Sequence, residues 1–180
     1  IVDSGGLRVV VVPLWSGSFG PALPSADTVQ QLVASRFPMA ADRISVSIRT
    51  PDALTSVTTG VQTSTQWSNA LSELESLRDV EAPTGLYYGL VQPRVGGGIA
   101  GIGYVNSIGS RFPALSSLGW DASRVAWSQT MIHELGHNLS RSHAPCGGVA
   151  SFDPLFPYAY GSIGPNPPFD PGTDQISGIA

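Results

Sequence analysis

Every histidine of this 180-residue chain stands in one short stretch, T-M-I-H-E-L-G-H-N-L-S-R-S-H, running from Thr130 to His143. They are His133, His137 and His143, and Glu134 follows the first. H-E-x-x-H is a spacing that zinc chemistry uses. Residues four apart on a helix lie one turn apart on the same face. His133 and His137 can therefore aim both imidazoles at one point. Glu134 is rotated by about 100° from His133, which places it beside that point rather than on it. A catalytic zinc takes three protein ligands and leaves a fourth position to water. His143, beyond the helix, is placed to swing back as the third ligand. Zinc lowers the pKa of its water from about 15.7 toward about 7. Glu134 is then the base that takes the proton and returns it to a leaving amine. The expected chemistry is hydrolysis of a peptide bond.

Other readings fit less well. Any one of these histidines alone would more often be a hydrogen-bonded structural residue. A structural zinc site is closed by four protein ligands, often Cys-rich, and the one cysteine, Cys146, is the sole candidate for a fourth. A downstream glutamate as third ligand is closed off within this chain. The four glutamates are Glu73, Glu75, Glu81 and Glu134, and none follows His137.

The motif resembles the signature of the metzincin clan of zinc endopeptidases, H-E-x-x-H-x-x-G-x-x-H followed by a Met-turn. The resemblance implies that His133, His137 and His143 are the ligands of one catalytic zinc ion and that Glu134 is the catalytic glutamate. Two positions depart from the pattern. Ser140 stands where the clan has a glycine, at a turn where a positive φ favours glycine, so a strained serine or a different turn is expected. The methionines are Met39 and Met131, so no Met-turn follows the motif, and a separate chain or a missing segment is expected to complete the C-terminal part. The stretch H-A-P-C-G-G from His143, with F-P-Y-A-Y-G-S-I-G at 156–164, resembles a group of secreted bacterial metzincins. An extracellular location is what that resemblance implies.

Composition narrows the function classes. A length of 180 residues, with 42% hydrophobic residues, suits one domain with a core of its own. The net charge of −4 leaves no basic surface for a phosphate backbone, so no nucleic-acid partner is expected. No apolar run approaches the roughly 20 residues of a membrane span. Cys146 keeps three readings: a disulfide to a part of the protein outside the chain, a buried thiol, or a fourth and inhibitory zinc ligand. Asp153, Asp170 and Asp174 offer a structural calcium site in a loop. Their spacing fits no EF-hand, and solvated loop aspartates are the preferred reading.

The elements that must position the motif follow in order. Residues 7–14, L-R-V-V-V-V-P-L, read as a buried strand. Residues 27–37 read as a helix capped by Ser25. Residues 43–49 alternate as a half-buried strand, and 66–80 carry a helical stripe of Trp67, Leu71, Leu74 and Leu77. Residues 85–91 form a third strand. The glycine-rich stretch from Gly96 to Val105 lacks the spacing of a phosphate loop and reads as an edge strand. In metzincins a strand here pairs with the substrate backbone. Gly98, Ile99, Ala100, Gly101, Ile102, Gly103 and Tyr104 are therefore the candidate substrate-binding residues, acting by strand addition. Residues 106–119 read as a loop. Asp121 or Ser123 is expected to cap the motif helix, and Trp127, Met131, Leu135 and Leu139 to pack it on the sheet. Asn138 reads as a surface or capping residue.

The fold expected is α/β: a metzincin-like N-terminal subdomain over residues 1–143, with a mixed twisted sheet packed against two helices plus a long active-site helix. Residues 144–180 open a loop-rich, incomplete C-terminal subdomain. The expected function is a zinc-dependent endopeptidase acting on a protein or peptide. The rival class is a non-catalytic module of the same fold that retains zinc and binds protein or glycan.

Overall fold

A computed structural model of the chain describes residues 6–37, 39–81, 85–92, 98–106, 113–145 and 152–154, and the backbone at 169–170 and 175–176. The valine run becomes β1 (Leu7–Trp15), buried from Val9 through Leu14. It has no polar face because both of its faces are covered, as in parallel sheets. Val9 and Val11 enter one core, and Val10, Val12 and Leu14 the other.

The first core is closed by α1 (Ala26–Ala34) through Val29 and Val33. Ser25 caps this helix as expected, its hydroxyl accepting from the Thr28 amide at 3.0 Å. The second core is closed by α2 (Ser64–Glu81) through Trp67, Ala70, Leu71 and Leu74. Between them lies one twisted sheet. Parallel to β1 run β2 (Ile44–Ile48), the two-residue β3 (Asp52–Ala53) and β4 (Leu86–Val91). The edge strand β5 (Gly101–Gly103) runs antiparallel to β6 (Ser116–Trp120), which lies parallel to β4. The sheet order is β2-β1-β4-β6-β5. The motif helix α3 (Trp127–Asn138) shares the face of α1, with Met131 and Leu135 fully buried. A two-stranded ladder, β7 (Phe169–Asp170) with β8 (Gln175–Ile176), lies in the tail. The chain is thus α/β with a mixed sheet, and among the described residues no helix is long and apolar enough to cross a membrane.

Several local expectations are corrected. Part of the presumed loop 106–119 is β6, a strand on the interior of the sheet. Its sequence, S-S-L-G-W, has little strand propensity, and burial between neighbours overrides that preference. The small residues are there because α3 comes close: a β-carbon at Gly119 would meet the Tyr88 hydroxyl and lie 2.8 Å from a Thr130 methyl. The motif helix has 12 residues and is not the long one; α2 has 18. Neither Asp121 nor Ser123 caps it. Asp121 is buried and accepts instead from the Ala22 amide at 2.6 Å and from the Ser123 hydroxyl at 2.6 Å. It ties the loop before α1 to the turn before α3. Leu139 is 39% exposed because the helix ends there and the turn carries its side chain outward.

Asn138 is no surface residue, being 2% exposed. Its side-chain amide donates to the Tyr104 carbonyl at 3.1 Å and the Ser116 carbonyl at 2.9 Å, clamping the end of α3 to β5 and β6. Asn138→Ala should lower stability by about 2 kcal/mol, since a buried polar partner is lost on both strands; urea unfolding of the two proteins measures this.

Candidate metal centre

The last turn of α3 builds the centre. After Leu139 the chain adopts a φ of +64° at Ser140, unique among the described non-glycine residues. The Ser140 amide donates to the His137 carbonyl at 2.9 Å and the Arg141 amide to the Gly136 carbonyl at 3.0 Å. These paired bonds are the Schellman closure that normally employs glycine. The expected strain at Ser140 is therefore present, and the turn is kept rather than altered. Reversal of the chain at this point has two consequences. The Arg141 carbonyl lands 2.6 Å from Nδ1 of His137, and His143 is carried back over the helix.

A carbonyl can only accept, so His137 donates from Nδ1 and its Nε2 is left with a bare lone pair. That lone pair lies 3.1 Å from Nε2 of His133 and 3.2 Å from Nε2 of His143. The three ligand atoms all lie within 4.8 Å of one another. Tetrahedral zinc with nitrogens at about 2.0–2.1 Å sets them about 3.3 Å apart. The convergence fits a cation, and the bare His137 Nε2 can equally accept an Nε2–H from His133 or His143. Burial, then the nearby His137 and His143, holds His133 below its ordinary pKa. Burial also lowers His137, against the opposing Arg141 carbonyl. Both effects favour the neutral ligand form. The set His133, His137, His143 can hold a metal ion. His143 is itself pinned from behind, its carbonyl accepting from the Asp153 amide at 2.8 Å.

Glu134 stands beside the three nitrogens and not among them. It is 6% exposed, and burial pushes its carboxyl up to about 7. Its carboxylate packs on the edge strand. A β-carbon at Gly101 would sit 2.9 Å from Oε1, and one at Gly103 would sit 3.2 Å from Oε2. At Gly101 α3 and β5 approach too closely for a β-carbon, and at Gly103 one would be tight.

An open cleft of about 540 Å³ runs along this contact, lined by Gly98, Ile99, Ala100, Gly101, Gln129, Thr130, His133 and Glu134. Of the seven candidate substrate-binding residues, four line it. Ile102 and Tyr104 instead pack toward the core beneath α2, and Gly103 lies under Glu134. The strand proper spans only Gly101–Gly103, although the Ala100 carbonyl and the Tyr104 amide extend its pairing with Trp120 and Ser116. Gln129 and Thr130 were missed as cleft residues. The signal was available: each stands four residues before His133 or Glu134, and so on the same helix face. Cys146, Asp174 and the stretch 156–164 lie outside the described residues.

No protein-family model and no curated protein matches the sequence. Among solved structures, the chain is similar to metalloproteinase-II from Bacteroides fragilis, with a TM-score of 0.47 and 20% identity. The likeness covers 78% of this chain, which spans 43% of that one.

Ser140→Gly should raise the stability of the metal-free chain by about 0.5 kcal/mol. Relief of a left-handed serine, about 1 kcal/mol or more, outweighs the added freedom of the unfolded chain. Denaturant unfolding checks the sign; a loss would show that the serine side chain contributes more than its strain removes.

Proposed function

We propose that this chain is a zinc-dependent endopeptidase of metzincin type, with residues 1–143 as the catalytic subdomain and the remainder the start of a second, loop-rich one. The observation that carries the reading is the convergence of three imidazole nitrogens within 4.8 Å of one another, with a desolvated carboxylate beside them on the wall of an open cleft. Bound there, zinc would polarise a carbonyl and acidify a water.

The chain's own residues account for the rest. His137 is held in one tautomer by the Arg141 carbonyl, so the ligand set needs no rearrangement to bind. Glu134, largely withdrawn from solvent and, among the described residues, unpaired with any cation, has its proton affinity raised toward neutrality. A carboxyl of that kind can take a proton from water and deliver it to a departing amine at neutral pH. The substrate is a polypeptide, laid antiparallel along β5, whose outer edge can pair with an extended backbone. Gly98, Ala100 and Gly101 keep that edge low enough for the main chain to reach the metal. The working location is extracellular.

Metal analysis with a proteolysis assay tests this. One zinc per chain is expected, with cleavage of an unfolded protein that stops on chelation. Glu134→Gln should keep the zinc and lower kcat by at least about 100-fold. An active Glu134→Gln protein would sink the assignment. Zinc without cleavage in the unaltered chain would favour the non-catalytic binding module.

A further inference from the structure

The side of Glu134 turned away from the cleft holds chemistry the proposed reaction does not use. Tyr88 on β4, Ser117 on β6 and Gly103 on β5 are register neighbours across three strands. All three face α3 and lie in a row beneath Glu134. The Tyr88 hydroxyl and the Ser117 hydroxyl are both fully buried, and among the described residues neither has a hydrogen-bond partner. Orphaned buried hydroxyls are costly and uncommon. Two of them in one layer facing α3, among Val, Leu and Met, call for an acceptor.

Glu134 is the ionisable group whose charge acts on Tyr88 and whose Oε2 borders the same gap at Gly103 as Ser117. The point where a β-carbon would stand at Gly103 is 3.0 Å from Cβ of Ser117 and 3.2 Å from Oε2 of Glu134. Because residue 103 is glycine, no side chain separates the two. A turn of the Ser117 hydroxyl about its own Cα–Cβ bond is enough to direct it at that gap. Tyr88 reaches the same layer two residues along β6, where its hydroxyl abuts Gly119 and neighbours the Thr130 methyl. Burial first, and the charge of Glu134 second, push the Tyr88 phenol well above its ordinary pKa, so the phenol stays a donor.

We propose that Ser117 and Tyr88 are positioning residues for Glu134, their hydroxyls donating to the rear of its carboxyl directly or across one enclosed water. Such an anchor fixes which oxygen faces the cleft. Without it, a carboxyl resting on glycines alone is free to rotate about its side-chain bonds. The role rests on the endopeptidase reading, but its test does not.

Ser117→Ala and Tyr88→Phe each remove one oxygen and leave the packing otherwise intact. The melting temperature of the metal-free chain is measured for each, in the natural background and again with Glu134→Leu. In the natural background each should lower Tm by about 3–6 °C, the scale of a hydrogen bond to a charged group in a chain of this size. With Glu134→Leu the loss should vanish or reverse, since the acceptor is gone. An equal loss in both backgrounds, or a rise in Tm in the natural one, would overturn the proposal. Where cleavage is measurable, both variants should lower kcat about 10-fold at unchanged KM and unchanged zinc content; unchanged kcat would also overturn it. Complete absence of cleavage in the unaltered chain defeats the endopeptidase reading, and the Tm comparison still decides this one.

Discussion

The candidate metal centre hangs on one backbone carbonyl, that of Arg141. Its hydrogen bond fixes the tautomer of His137, and the same reversal of the chain that presents it also returns His143 to the helix. That reversal needs a left-handed residue one position past the helix cap. Here a serine holds it, at a conformational cost the surrounding hydrogen bonds must offset. Two capping bonds, the Nδ1 bond and the pinning of His143 by Asp153 together hold the turn in place. The geometry of three ligands is thus over-determined by backbone, which is how a strained residue persists in a folded chain.

The second constraint is the closeness of α3 to the edge of the sheet. Gly101 and Gly119 leave no room for a β-carbon between strand and helix, and Gly103 little, so Glu134 lies directly on β5. This one contact gives the carboxylate its burial and places the outer edge of β5 beside the metal ligands. The burial of Glu134 and the position of the strand edge are therefore two results of a single packing choice. Asn138 locks that choice from the far end of the helix by bonding to both strands.

How much of this could be read from the sequence depended on how local the cause was. His133, His137 and the flanking Glu134 are legible because helical periodicity alone puts them together, whereas the return of His143 depends on the turn after the helix. The strain at Ser140 was legible from the same local logic. The buried strands β1 and β4, and the Ser25 cap, follow from short-range patterns. What escaped was set by distant partners. The strand β6 reads as loop because its serines and glycine answer to Tyr88, Thr130 and Glu134, which are far away in sequence. Asn138 looks like a polar helix end, and only the arrival of Tyr104 and Ser116 makes it a buried clamp. Asp121 has the form of a helix cap, yet its carboxylate is taken by Ala22, almost a hundred residues earlier.

The central claim is a three-imidazole site with one position open. X-ray absorption at the zinc edge of the zinc-loaded chain tests it most directly. The account predicts three imidazole nitrogens at about 2.0–2.1 Å and a single oxygen as the fourth ligand. A sulfur at about 2.3 Å, or fewer than three imidazoles, would contradict it.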